Sequence, residues 1–275
     1  MLECLPIKSK DALYFCEMMD QEKEAKCQQL PCDPATEHKV SVEVRVLATD
    51  DGSKTLYLPG LDETYHSTHG AVTESSYVYI EKGLDFWRAA HPEAKAVSVF
   101  EMGLGTGTNA MLSMDWCVAN DCQMRYYSVE KFPLGPDLMK EYWGSTGIDE
   151  VDDSVKQDVS QRSDSLHSSP WEQWIAIPLV RGGFEVFKHK SDIRDAVIPA
   201  EVDVVFWDAF GPKKQEGVWG AELFQPIFNA MHEGGIFVTY SASGDVKRAL
   251  KEVGFGVEKL DGPPHKRHML RAKKD

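Results

Sequence analysis

The sequence predicts an open, doubly wound α/β fold: a mostly parallel seven-stranded sheet with helices on both faces, preceded by an N-terminal β-hairpin. Three observations carry this expectation. From about residue 93 onward, apolar β-branched runs of strand length alternate with helical patterns, which builds a parallel sheet covered on both faces. One of those runs, Val97-Ser98-Val99-Phe100-Glu101, passes through a glycine-rich turn into a helical pattern opening at Asn109. Three of the runs end in an acid, Glu101, Glu130 and Asp208, at the strand ends where open α/β sheets bind ligands.

Residues 1–37 are polar and rich in Lys, Glu and Cys, and read as an extension. A helix is expected over 11–28, which Pro31 and Pro34 keep from continuing. Residues 38–92 form a lead-in. Residues 40–46 alternate apolar and polar, Asp50-Asp51-Gly52 supplies turn chemistry and residues 55–58 continue as a second strand, together a β-hairpin. The stretch Tyr65-His66-Ser67-Thr68-His69-Gly70 reads as a polar loop near the site. Its two histidines would suit a metal only on a helix with a carboxylate to complete the set, so no metal is expected. A helix over 82–91 closes the lead-in.

The sheet domain spans 93–275. After the first strand a helix is expected over 109–118, a second strand over 124–130 and a helix from Pro136. Residues 144–170 are polar and carry no clear pattern. Strands follow over 184–189, 202–208 and 236–241, with a helix over 221–231 stopped by Gly234-Gly235 and another over 244–253. Residues 257–260 and 268–271 read as a closing antiparallel pair around Gly262-Pro263-Pro264.

No apolar run approaches the length of a membrane span, and the first residues lack a secretory core; an intracellular, cytoplasmic protein is expected. The net charge of −14 over 275 residues argues against broad adhesion to nucleic acid. It leaves room for local basic patches at Lys213-Lys214 and across residues 265–274. The six cysteines, four of them at Cys4, Cys16, Cys27 and Cys32, do not form paired Cys-x-x-Cys knuckles, and reduced structural thiols are the default.

The turn itself reads Glu101-Met102-Gly103-Leu104-Gly105-Thr106-Gly107. A dinucleotide fingerprint needs its third glycine at position 108, which is Thr, and a phosphate loop needs a lysine, which is missing. A carboxylate at Glu101 suits an ammonium and would repel a pyrophosphate. The pattern resembles motif I of class I S-adenosylmethionine methyltransferases. Glu130, ending the second strand, sits where an acid accepts hydrogen bonds from ribose hydroxyls. Asp192, past the third strand, either faces an adenine amino group or caps a helix.

Several separated stretches resemble one family, the MnmC-like tRNA wobble-uridine methyltransferases, in a form without an oxidase half. The pieces are Gly52-Ser53-Lys54-Thr55-Leu56, residues 65–76, residues 101–109 and Ser128-Val129-Glu130-Lys131-Phe132-Pro133-Leu134. They continue through Trp207-Asp208-Ala209-Phe210-Gly211-Pro212-Lys213 with Trp219, Thr239-Tyr240-Ser241-Ala242, and Lys266-Arg267-His268-Met269-Leu270. Family members often carry Asn-Pro after the loop lysine, where this chain has Lys214-Gln215-Glu216. The resemblance implies a Rossmann-like class I fold and S-adenosylmethionine-dependent N-methylation of 5-aminomethyl-(2-thio)uridine in tRNA. It also implies a separate upstream enzyme that forms the amine, no membrane partner, and a monomer or weak dimer. A small-molecule or protein N-methyltransferase with the same cofactor corner is the alternative.

The resemblance implies cofactor contacts from Glu101, Gly103, Gly105, Gly107, Asn109, Glu130, Lys131 and Asp192. Asp208 would orient the substrate amine and accept its proton directly or through water, or else hold the cofactor or cap its loop. Tyr65 would contact substrate. Phe210 and Trp219 would stack on a base or fill the core. Lys213, Lys266 and Arg267 would contact phosphate, with Lys214 beside them.

Overall fold

The computed structural model describes residues 44–144, 153–215 and 217–275. The expected N-terminal helix, residues 40–43 of the expected first strand and the four N-terminal cysteines lie outside the described residues. The described chain opens on an antiparallel sheet of β1 (Arg45–Ala48), β2 (Lys54–Leu58) and β3 (Glu63–Thr64). The expected hairpin therefore gains a third strand.

A continuous helical stretch follows in three pieces: α1 (Ala71–Ser75), a π-helical segment Ser76–Asp85, and α2 (Phe86–Ala90). It begins eleven residues before the expected helix at position 82. The Tyr77-Val78-Tyr79-Ile80 run has strand-like residues, but packing on the main sheet overrides that local preference. Wide helical turns of this kind are frequent at functional sites.

The main sheet is built from β4 (Ala96–Met102), β5 (Gln123–Glu130), β6 (Trp174–Ile177), β7 (Gly183–Lys190), β8 (Val202–Trp207), β9 (Met231–Thr239), β10 (Gly256–Asp261) and β11 (His268–Lys273). Their order is β10-β11-β9-β8-β4-β5-β7-β6. The five central strands are parallel, flanked by antiparallel pairs at both edges. The seven expected strands are present, and β6 adds an eighth at the edge, where Trp174 pairs with Phe187.

The helices are α3 (Thr108–Asn120), α4 (Pro136–Gly144), α5 (Asp153–Ser168), α6 (Ala221–Ala230) and α7 (Gly244–Glu252). α5 fills part of the stretch that carried no clear pattern. α6 stops at Ala230, before Gly234-Gly235, because Met231 is already extended and pairs with Val202. The two glycines lie inside β9 at a register irregularity, not at a helix stop. Among the described residues no helix is long and apolar enough to cross a membrane.

Alternation along the strands builds two cores, one on each face. Val204 and Phe206 of β8 face Tyr79, Leu84 and Met114, while Val205 and Trp207 face Phe224, Ile227 and Leu250. A smaller cluster packs Leu56 and Leu58 of β2 on Leu138, Met139 and Tyr142 of α4. β4 has β5 on one side and β8 on the other, so the chain reverses its winding there. The crevice at such a switch point is where ligands bind.

The π-helical segment reaches the sheet through Gly83. A Cβ built there would lie 3.1 Å from Val238 Cγ2 and 3.4 Å from Phe206 Cε1. Gly83→Leu is expected to overpack this contact and lower unfolding stability by about 1–3 kcal/mol, read as a lower urea midpoint at unchanged slope.

Candidate active site

The carboxyl ends of β4 and β8 are knitted together past the last sheet pairs. Asp208 N–H donates to Met102 O at 3.1 Å, and Gly103 N–H donates to Val129 O at 2.9 Å. Gly103 has φ 92°, and a Cβ there would lie 3.1 Å from Asp208 O. Only glycine lets the turn pass this close to β8. Gly107 (φ 77°) starts α3, and a Cβ there would collide with Leu166 Cδ2 and His167 Nε2 at the end of α5.

Two cavities meet at this point. The larger, about 580 Å³, is walled by Gly103, Gly105, Asn109, Glu130, Lys131, Asp192, Phe210 and Lys213, among others, and has the size of a small-molecule site, roughly 300–1,000 Å³. The smaller, about 210 Å³, includes Glu74, Tyr79, Tyr240 and Lys266 in its wall. Tyr65, His66 and Asp208 belong to both.

Glu130 lines the larger cavity. Its carboxylate accepts Gly105 N–H at 3.0 Å and Phe132 N–H at 2.8 Å, which pins it at the cavity wall. Burial pushes its carboxyl up, and these backbone bonds oppose that. Met102, Val129, Ile193 and Val218 give the same cavity an apolar flank. Asp192 lines the larger cavity and does not cap a helix. No helix follows it, and its carboxylate instead closes a turn onto Arg194 N–H at 3.0 Å. It also pairs with Lys131 Nζ at 3.0 Å. Burial works against ionisation there, but the Arg194 and Lys131 bonds outweigh it and hold the carboxyl at about 2.

Glu101 is fully buried and does not line either cavity, a correction to the expected direct contact with cofactor. It lies beneath the floor, accepting Asn109 Nδ2 at 3.0 Å and Ser128 Oγ at 2.9 Å. Asn109 Nδ2 also donates to Asp208 Oδ2 at 2.8 Å, so one amide spans both acids. Asn109 Oδ1 is buried with no partner among the described residues. Burial, and then the charge of Asp208, pushes the Glu101 carboxyl up to about 8. Gly107 is likewise off the wall, beneath α5, whereas Gly103 and Gly105 are on it.

Asp208 Oδ1 accepts the Tyr79 hydroxyl at 2.6 Å. Burial pushes its carboxyl up, and the bonds from Tyr79 and Asn109 offset part of that. Phe210 lines the larger cavity and meets Tyr65 edge-on at 5.2 Å. Trp219 does not: it is buried in the core and its indole N–H holds Phe210 O at 2.9 Å. The core alternative wins there, because the side chain serves the loop from behind. Lys266 is not displayed for phosphate. It pairs with buried Glu74 and sits 4.1 Å over the Tyr240 ring. Arg267 and Lys213 are exposed, while exposed Lys214 donates to Leu61 O at 2.9 Å.

Several side chains around the cavities were not singled out by the sequence. Tyr79 and Glu74 come from the stretch ahead of the helix expected at position 82. Lys188, fully buried in β7, donates to Leu166 O at 2.6 Å and Ser169 O at 2.8 Å, and burial lowers its ammonium to about 8. It thereby holds the end of α5, from which His167 Nε2 meets Thr106 O at 3.1 Å, beside Trp143 Nε1 at 2.9 Å. A buried lysine within an apolar strand was the only available signal. His69 lies apart from His66, bonded to Asp50 at 2.8 Å and stacked on His265.

Residues 165–275 match the family described as S-adenosyl-L-methionine-dependent methyltransferase. That span holds Asp192, Asp208, Phe210 and Lys266, and begins after the glycine corner. The chain is similar to the tRNA 5-methylaminomethyl-2-thiouridine biosynthesis bifunctional protein MnmC of Marinomonas sp. (strain MWYL1), 29% identical over 216 residues covering 76% of this chain and 31% of that protein. The protein of the same name from Burkholderia multivorans is 29% identical over 232 residues, 80% of this chain and 33% of that one. The chain thus spans about a third of the length of these curated relatives. The crystal structure of MNMC2 from Aquifex aeolicus shares the fold, with a TM-score of 0.65 at 23% identity over 97% of this chain and 85% of that chain.

The buried Glu101 carboxyl gives a pH signature. Its pKa rises from 4.5 to about 8 on folding, so the folded state holds a proton that the unfolded chain releases between those values. Stability from this group is present at low pH and lost as pH climbs through that window. Glu101→Gln is expected to flatten this part of the fall in melting temperature between pH 5 and 8, read by calorimetry across a buffer series.

Proposed function

We propose, from the match of residues 165–275 to the family described as S-adenosyl-L-methionine-dependent methyltransferase, that this chain N-methylates the primary amine of 5-aminomethyl-(2-thio)uridine at the tRNA wobble position. The observation that carries the reading is the position of Asp208, at the end of β8 on the wall shared by the two cavities. One cavity has the furnishings for S-adenosylmethionine and the other is lined by groups that favour a cation. Glu130 would hold the ribose hydroxyls. Met102, Val129 and Ile193 would flank the adenine, with Asp192 and Lys131 at its edge, and Asn109 Oδ1 would accept from the cofactor's ammonium, with Glu101 acting through Asn109. When bound, the cofactor supplies an activated methyl group on a sulfonium.

The protein's part is alignment, which is worth up to roughly 7–11 kcal/mol in well-oriented reactions, and delivery of a neutral amine. Asp208, fixed by Tyr79 and Asn109, orients that amine. Tyr65 and Phe210 offer aromatic surface to a base lifted out of the anticodon loop, and Lys213 and Arg267 contact phosphate. The amine itself is made by a separate upstream activity. The names of the MnmC relatives support the tRNA substrate, while the net charge of −14 favours a smaller amine as the second reading.

Asp208→Asn is expected to keep cofactor affinity by calorimetry while losing roughly 10²-fold or more in turnover, the scale of a lost acid–base or orienting group. Incubation with labelled S-adenosylmethionine should label tRNA bearing the unmethylated aminomethyl base and leave amine metabolites unlabelled; the reverse result selects the second reading. Binding of tRNA should weaken with added salt, and Lys213→Glu should weaken it further, as measured by filter binding.

A further inference from the structure

His66 has no role in the reading so far, yet it borders both cavities together with Asp208. Its backbone is clamped from β2: its N–H donates to Thr55 Oγ1 at 2.9 Å, and that hydroxyl donates to His66 O at 3.2 Å. The imidazole Nε2 lies 3.0 Å from Thr106 Oγ1, and Thr106 Oγ1 lies 2.8 Å from Thr108 Oγ1. Both threonines are buried.

Either hydroxyl can be the donor between the two threonines, so Thr106 can spend its proton on Thr108 and accept from Nε2. Nε2 is engaged by Thr106, while Nδ1 has no hydrogen-bond partner among the described residues. A ring proton on Nε2 leaves the bare lone pair on Nδ1.

Resting on the N-methylation reading, we propose that His66 Nδ1 is the base that takes the proton from the substrate ammonium, with Asp208 holding the amine in place. The N–H bond breaks and its proton moves to Nδ1. The freed nitrogen lone pair forms the new N–C bond, and the electrons of the broken C–S bond leave on the thioether sulfur. The resulting imidazolium is stabilised by Asp208, and it returns its proton to solvent as product departs. Burial holds His66 below the ordinary imidazole range, opposed by Asp208 and Glu74, so the ring is neutral and ready at neutral pH. The groups sharing the smaller cavity with it are the carboxylates of Glu63, Glu74 and Asp208, the Lys266 ammonium, and the phenols of Tyr65, Tyr79 and Tyr240.

The first test needs no substrate. Long-range ¹H–¹⁵N correlation spectra of the full chain at neutral pH, with His66 assigned from the His66→Gln spectrum, should show the proton on Nε2 and a bare Nδ1. Thr106→Val should abolish that preference. The second test is single-turnover methylation of tRNA carrying the unmethylated amine. His66→Ala should be slowed roughly 10²-fold with S-adenosylmethionine affinity unchanged, and added imidazole should restore part of the rate in proportion to its free base. A wild-type proton on Nδ1, an undiminished His66→Ala rate, or slowing that imidazole does not relieve would overturn the assignment. If His66→Ala does not fold, His66→Gln takes its place in the rate comparison. If wild-type protein leaves the tRNA unmethylated, the substrate reading falls, and the position of the wild-type ring proton alone decides for or against His66.

Discussion

The site depends on one amide holding two acids together underground. Asn109 Nδ2 donates to Glu101 and Asp208 at once, and Ser128 closes the cluster from β5. Two carboxylates this close in a low-dielectric interior repel if both ionise. Burial and this proximity push the Glu101 carboxyl up to about 8, and burial pushes Asp208 up as well; of the two, Asp208 meets the cavities. The cluster also joins β4, β5 and β8 through α3. The crevice is thus closed at its base by a cluster whose deepest member, Glu101, lines neither cavity.

The glycine turn is braced from outside in the same spirit. A backbone free to bend needs external donors to stay in one conformation, and the Thr106 carbonyl has two, Trp143 from α4 and His167 from α5. The end of α5 is in turn secured by the Lys188 ammonium, which answers carbonyls that the finished helix leaves without donors. A buried charge is expensive to isolate; here it is surrounded by acceptors and by the Trp171 ring at 4.9 Å.

The smaller cavity has a different origin. Its wall comes from the loop after β3, from α1 and the π-helical segment, from the end of β8 and β9, and from the β10–β11 turn. Lys266 shows how the pieces interlock, since its ammonium joins the C-terminal turn to Glu74 of α1 across the face of Tyr240. Read along the chain, that lysine belongs to a basic run and looks like a phosphate contact. In the fold it is part of a wall. Trp219 changes meaning in the same way, from a stacking platform to the clamp behind Phe210.

What the chain declares by itself is what depends on neighbours in sequence. The strand and helix order, the acid-tipped strands and the glycine turn were all legible, because side-chain period and backbone sterics act over a few residues. Glu130, Asn109 and Asp208 could be placed for the same reason, as each stands at a fixed step from a strand end or the turn. The extra strand β6, the early start of the helix at Ala71 and the sinking of Glu101 beneath the floor were decided by tertiary packing. So was the partnership of Tyr79 with Asp208, 129 residues apart in sequence. Which face of a residue meets a cavity is settled by segments arriving from far along the chain, and no local pattern encodes that meeting.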